Sequence, residues 1–438
     1  RRRSGREEVT YLHPLLEPAL RQTLGVPLFQ EQLMRIATDA AGLSGARADQ
    51  LRRAMGAKRS PERMEALKGD LMAGMEERGI DAPTRERIFE QLKGFADFGF
   101  PESHSFSFAH IVYASSWLKV HAPEHFYAAI LASQPMGFYS PATLVQDARR
   151  HGVRVVGPSV NDSLVDASVQ RVGDDEAGES YNPGRPEALP SRGTVALDVD
   201  RELAVRIGLS QVRGLGAAAK RIVDARRQGA FTSQADLAQR AHVSASAMEK
   251  LAMAGALECL GVGRREGAWA AGALAQPLAR GGQWQPFLPG TEVGSRVPKL
   301  PSLSEVERMR SDVASTGVTP GRHPFSYVRG SLPASVLRAG ELGQHLAGRI
   351  VDVAGVVTHR QRPHTGGGIT FLSLEDETGF VNVSVSVGAW KKFRRVCLES
   401  NALLVRGTLE WGDGAINVQA FQIAPVDLPI DVRSRDFR

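Results

Sequence analysis

The chain has 438 residues, 42% hydrophobic and 23% charged, the balance of a soluble globular protein too long for a single core. No run of about eighteen apolar residues offers a membrane span, and no apolar segment follows the basic opening RRRSGREE as a secretory leader would require. Cys259 and Cys397 are too few for a disulfide framework or a cysteine-rich zinc site, so a reducing cytoplasm fits, while the net charge of +6 and pI near 9.5 point to an anionic partner.

Residues 1–150 read as helical. PLFQEQLMRIATDA and SPERMEALKGDLMAGMEERG carry apolar residues at three-to-four spacing, with Pro61 placed like a first-turn proline. Glycines at 25, 42, 56, 79 and 94 punctuate the pattern, and Pro123 is expected to end one helix and start the next. Between them lies GFPESHSFSFAHIVYASSWLKVHAPEHFYAAI. Its Ser103, His104, Ser105 and Ser107 follow a Gly-Phe-Pro break. Either a serine caps the helix over a phenylalanine core, or the same donors with His104 hold a triphosphate at the helix N-terminus. His121 and His125 are four apart but separated by Pro123, which argues against a metal site.

Residues 151–200 form a connector whose 161–195 stretch is acidic, Gly/Pro-rich and without period, as an exposed loop would be. Residues 201–268 are ordered again. In VRGLGAAAKRIV, Gly214 and Gly216 permit a tight turn before a helix whose first N–H groups suit a phosphate oxygen. Arg213, Lys220, Arg221, Arg226, Arg227 and Arg240 face only Asp224 and Asp236. Such a helix-hairpin-helix, one of a tandem pair with SASAMEKLAMAGALECLG, grips the DNA backbone; a plain αα-hairpin with a solvated basic face is the competing reading.

Residues 269–340 are a Pro/Gly-rich linker with one helical piece at LSEVERMRSDVAST. Its QWQPFLPG loosely resembles the Gln-plus-aromatic peptides that dock on sliding clamps, although a solvated linker explains it as well. Residues 341–427 are β. Val381, Val383, Val385 and Val387 alternate with polar residues, and RIVDVAGVVTHR, GGITFLSLEDE, ALLVRGTLEW and AINVQAFQIA supply four more strands. Five short strands fit a Greek-key barrel of the OB type, followed by a tail over 428–438. Its HRQRPHTGGG loop carries His359, Arg360, Arg362 and His364, with Phe371, Trp390 and Trp411 available for base stacking or for the core. The acidic triplet Glu375, Asp376 and Glu377 reads as a solvated turn rather than a metal site.

The ordered series LEPALRQTLGVPLFQEQLMRIA, FADFGFPESHSFSFAHIVYASSWLKVHAPEHFYAAIL, VNDS, the Gly214–Gly216 hairpin and the barrel with LEDETGFVNV resembles the C-family bacterial DNA polymerases. These are the polymerases of the DNA polymerase III α-subunit type, and the likeness is greater to their error-prone, damage-tolerance branch. The resemblance implies a multidomain α+β chain: a helical fingers domain over 1–150, the tandem helix-hairpin-helix, then the OB barrel. It places Ser103, His104 and Phe108 toward the incoming dNTP, and Arg213, Gly214, Gly216, Lys220, Arg221, Arg360 and Arg362 on DNA. Phe108 stands where replicative members usually have Tyr, and Glu102 where they usually have Lys, a change expected to loosen any hold on a triphosphate.

The family's PHP domain and palm, with its catalytic aspartates, have no counterpart in these residues, and the chain opens on Arg. The resemblance therefore implies a carboxy-terminal portion of an error-prone polymerase, without catalytic residues of its own. It also implies Mg²⁺ held by ligands elsewhere, primer-template and single-stranded DNA as partners, and association with a sliding clamp and a Y-family-like accessory protein. The competing expectation is a non-catalytic DNA-binding module.

Overall fold

The computed structural model describes residues 1–54, 60–95, 99–137, 139–171, 196–274, 298–363, 366–412, 415–430 and 434–437. Packing divides the chain into two compact units, Arg1–Ser116 and Trp117–Arg438.

The first unit is helical: α1 (Glu17–Leu20), α2 (Gln30–Asp39), α3 (Gly45–Ala54), α4 (Ser60–Glu77), α5 (Ala82–Phe95) and most of α6 (Glu102–His121). The three-to-four spacing does what it should, turning Leu33, Ile36, Leu51, Leu71, Met75, Ile88 and Phe89 into one core. Gly25, Gly42 and Gly79 take positive φ where chain segments end, whereas Gly94 lies inside α5. At Gly74 the requirement is space, since a Cβ would stand 1.7 Å from the Ala41 carbonyl oxygen. The buried Gln32 ties the unit together: its oxygen accepts from the Leu28 and Phe29 amides, and its nitrogen donates to the Ala19 carbonyl and Thr23 hydroxyl.

In the second unit, α7 (Pro123–Ala132) and α8 (Pro141–Arg150) pack with a small sheet ordered β1 (Arg154–Val156), β3 (Leu203–Arg206), β2 (Ser168–Arg171). Pro123 ends α6 and opens α7, as expected of a proline. The break in packing falls at 116/117 rather than near 150, because Tyr127, Leu131, Leu144 and Val145 share a core with Val155, Val205 and Ile207. The connector was expected to lack regular structure, yet Ser168–Arg171 pairs antiparallel with β3; residues 172–195 lie outside those described.

Four helices follow, α9 (Ala218–Arg226), α10 (Gln234–Ala241), α11 (Ala245–Met253) and α12 (Arg264–Leu274), around a core of Leu215, Ile222, Phe231, Leu237, Met248 and Leu251. The helix α13 (Glu305–Thr316), started by Ser304 and Glu307 as a reciprocal cap, is clamped to them by the buried Arg264–Asp312 pair at 2.6 Å. Burial raises the Asp312 carboxyl above its ordinary range in spite of that arginine.

The last elements form the barrel. Two-residue β4 (Val336–Leu337) flanks β5 (Ile350–Gln361), which is followed by β6 (Thr370–Glu375), β7 (Phe380–Val385), α14 (Val387–Glu399), β8 (Ala402–Gly412), β9 (Ala415–Pro425) and β10 (Arg435–Phe437). Around the barrel β5, β6, β7, β9 and β8 are neighbours in that order, and β8 pairs back with β5 to close it. This is the five-stranded OB arrangement, with all five expected strands in place. The sequence did not reveal α14. Val387, assigned to a strand by its alternation, is the first residue of that helix, capped by Ser386.

Candidate nucleic-acid interface

Helix α6 starts under a carboxylate. The Glu102 amide donates to Glu31 Oε2 at 2.8 Å, so a residue 71 positions away caps the helix. The carboxylate of Glu31, and not a serine, caps this helix. Ser105 and Ser107 hydroxyls bond back to the carbonyls of Glu102 and Ser103, and the anion at the helix N-terminus is Glu31. Phe29 and Phe100 hold this start in place through an edge-to-face contact at 5.5 Å, beside the Gln30 amide bond to the Phe100 carbonyl. The expected phenylalanine core is absent here: no residue of α6 is buried. Ser103, His104 and Phe108 are exposed, and the rings of His104 and Phe108 lie 4.5 Å apart on one side, tilted by 58°. The other side carries Phe106, His110, Tyr113 and Trp117 at helical spacing, with Phe106 69% and Tyr113 73% exposed. His121 Nδ1 sits 2.7 Å from Asp198.

In the hairpin, Gly214 has φ +74° and Gly216 φ +52°, the left-handed backbone that their sequence pattern called for. No side chain caps α9; Gly216 and Ala217 are exposed at its start, while Ala218 and Ala219 are buried. Lys220 and Arg227 lie exposed, Arg227 3.3 Å from Asp224. The remaining arginines are more committed than a charge count suggests. Arg221 donates to the Ala241 and His242 carbonyls, Arg226 to Val160, and Arg240 to Ala225 and Gly229, each satisfying a chain segment's end. Arg213 is exposed and reaches the Ala314 carbonyl near the end of α13.

On the barrel, Arg360 and Arg362 part company. Arg360 is buried on β5, and its guanidinium donates to the Cys397 carbonyl at 2.6 Å, the Ser400 carbonyl at 2.7 Å and the Ser434 hydroxyl. It anchors α14 to the wall rather than facing solvent, a correction to its expected place on DNA. Arg362 is exposed, its guanidinium 5.9 Å from the Trp390 ring. Of the aromatics, Trp390 belongs to the core, whereas Phe371 faces out between Gln361 and Ser384 on its neighbouring strands. Asn382 and Asn417 stand paired in the adjacent row. An exposed ring with polar side chains along the same sheet face suits a base and its edge. His364 lies outside the described residues, as does QWQPFLPG.

The acidic triplet is not a solvated turn. Glu375 is buried, 2.8 Å from Arg150 and in reach of the Thr143 hydroxyl, and burial pushes its carboxyl up to about 7 against the pull of that guanidinium. Asp376 is buried too, bound to Arg329 and to the Ala339 and Thr378 amides, while Glu377 pairs with the same Arg329. Beside them the buried His323 accepts the Phe325 amide, and burial with three neighbouring arginines lowers it to about 3. These charges join the barrel to α8 and the 320s segment. The partners lie 47 to 225 positions apart, so no local pattern could reveal them.

Three family models match the chain: "Bacterial DNA polymerase III alpha subunit finger domain" over residues 1–79, "Helix-hairpin-helix motif" over 152–267 and "OB-fold nucleic acid binding domain" over 351–426. Proteins named error-prone DNA polymerase align over the whole chain. The Mycobacterium tuberculosis protein is 47% identical with 37% of its length covered, that of Nocardia farcinica 47% with 36%, and that of Cutibacterium acnes 45% with 40%. The chain thus spans well under half the length of these relatives. Among solved structures, the asparaginyl-tRNA synthetase from Pyrococcus horikoshii aligns over 22% of this chain and 24% of its own, at 20% identity and a TM-score of 0.20.

Proposed function

We infer that a chain homologous over its full length to part of the error-prone DNA polymerases, as this one is, serves as the DNA-gripping portion of such an enzyme. In this reading the hairpin before α9 and the outer face of β6–β7 hold primer-template and single-stranded template. Helix α6 presents Ser103, His104 and Phe108 to the incoming dNTP. The activity served is nucleotidyl transfer in translesion synthesis and DNA repair, in the cytoplasm. A sliding clamp and a Y-family-like accessory protein are its proposed associates. The observation that carries the reading is the 47% identity along the whole chain, with finger, helix-hairpin-helix and OB matches in one order.

Mg²⁺ is the cofactor such transfer calls for, but among the described residues no group of three or more His, Cys, Asp or Glu is gathered as a metal site. The residues described here do not fit the ion pair, and its ligands are proposed to come from elsewhere in the polymerase. A second reading for the chain taken alone is a DNA-binding module without polymerase activity of its own.

Titration of the chain with labelled single-stranded and primer-template DNA at several salt concentrations tests the grip. Observed affinity is expected to fall with salt at about 0.7 to 0.9 log per phosphate neutralised. The pair Gly216→Val with Lys220→Gln should weaken binding several-fold without loss of fold by circular dichroism. A flat salt dependence overturns the reading.

A further inference from the structure

We propose that the solvent face of α14 is a phosphate-binding ridge that carries a nucleic-acid strand onward from the β6–β7 face of the barrel, with Lys391, Lys392 and Arg394 as its cations. The inference rests on the nucleic-acid reading of the barrel and adds a surface that the matched domains do not assign.

The helix is two-sided. Trp390 and Cys397 are buried, with Phe393 and Val396 packed against the same core, while Lys391, Lys392, Arg394 and Arg395 all lie exposed. Four cations in five positions meet a single carboxylate, Glu399, and Arg395 takes it at 2.9 Å. Lys391, Lys392 and Arg394 have no carboxylate partner among the described residues. Like charges at i,i+3 and i,i+4, as in Lys391 with Arg394 and Arg395, work against a helix. A merely solvated face would be expected to interleave acids, as the chain as a whole does with 54 basic and 48 acidic residues.

The helix is also tied to the barrel at both ends. Arg360 of β5 grips the C-terminal end of α14 through the Cys397 and Ser400 carbonyls. At the other end Arg362 lies over the Trp390 ring, one residue before Lys391, and Arg362 itself continues β5 beyond Gln361, the neighbour of Phe371. On this proposal a strand stacked on Phe371 meets Arg362 next, and then the α14 cations. Successive residues of the ridge rise about 1.5 Å each, so Lys391 and Arg394 are spaced to serve one or two backbone phosphates without reading bases.

The test is fluorescence anisotropy of the full chain with a labelled oligothymidylate across a salt series. The triple variant Lys391→Gln, Lys392→Gln, Arg394→Gln should bind about tenfold more weakly near 100 mM salt, with the log–log salt slope smaller by about 1, from roughly 0.7 for each of the one or two lost phosphate contacts. The charge-keeping variant Lys391→Arg, Lys392→Arg, Arg394→Lys should retain the slope, since backbone phosphates accept either cation. Unchanged thermal melting of both variants shows that α14 stays docked. Wild-type binding with an unchanged slope in the triple variant overturns the ridge alone. Equal loss in the charge-keeping variant overturns it as well, because helix packing and not charge would then be responsible. A wild-type chain without salt-dependent binding overturns the nucleic-acid reading together with the ridge.

Discussion

Helices α6 and α7 are separated by one residue, both are rich in apolar side chains, and they have opposite fates. In α7, Pro123, Glu124, Tyr127, Ala128 and Leu131 are buried against α8 and the small sheet, and the Tyr127 hydroxyl donates to Asp147 at 2.6 Å. That bond, with Lys119 and His151, outweighs burial and holds the Asp147 carboxyl below its ordinary range. In α6 nothing is buried, and Phe106, Tyr113 and Trp117 stand in solvent. Hydrophobic composition does not decide burial; the supply of a complementary surface does.

The comparison can be broken first at Tyr127. Tyr127→Ala should cost about 3–5 kcal/mol, the range for emptying a large aromatic from a core, read as a lowered urea midpoint and faster amide exchange through α7. An effect below 1 kcal/mol would mean that α7 is no better packed than α6.

A smaller change is expected where α8 meets the barrel. Burial lifts the Glu375 carboxyl to about 7 when folded, against about 4.3 unfolded, with Arg150, Thr143 and Asp147 as its neighbours. Its contribution to stability is therefore full below the unfolded value and is lost as pH rises through 7. Melting temperature should fall from pH 5 to pH 8 in the wild type and fall less in Glu375→Gln, which stays neutral. Equal slopes would place the ionised carboxylate at no disadvantage in the fold.

The smallest effect belongs to α6. Phe106→Ser and Tyr113→Ser should change stability by no more than about 0.5 kcal/mol, as for surface substitutions generally, in the same urea experiment. A cost of 2 kcal/mol or more would show that this face is covered within the chain itself.

Much was legible in the sequence. The five barrel strands followed from alternation and turn residues, and Gly214 and Gly216 from the need for left-handed backbone. Pro123 marked the junction of two helices because its ring ends one and starts the next. The charged residues were the least legible. Arg360, Arg221 and Arg240 look like free cations in the sequence, and the structure spends them on carbonyls at the ends of helices. Glu375 and Asp376 look like a polar turn, and they are buried.

What the sequence by itself determined, then, is whatever depends on neighbours along the chain: period, turn chemistry, the left-handed glycines and the order of the domains. Only the tertiary structure decided which charges remain free, that Glu31 caps α6 from 71 residues away, and that α14 lays four cations along the outside of the barrel. The physical reason is that a charge is stabilised by whatever lies within a few ångströms of it, and those groups come from segments whose meeting no local pattern records.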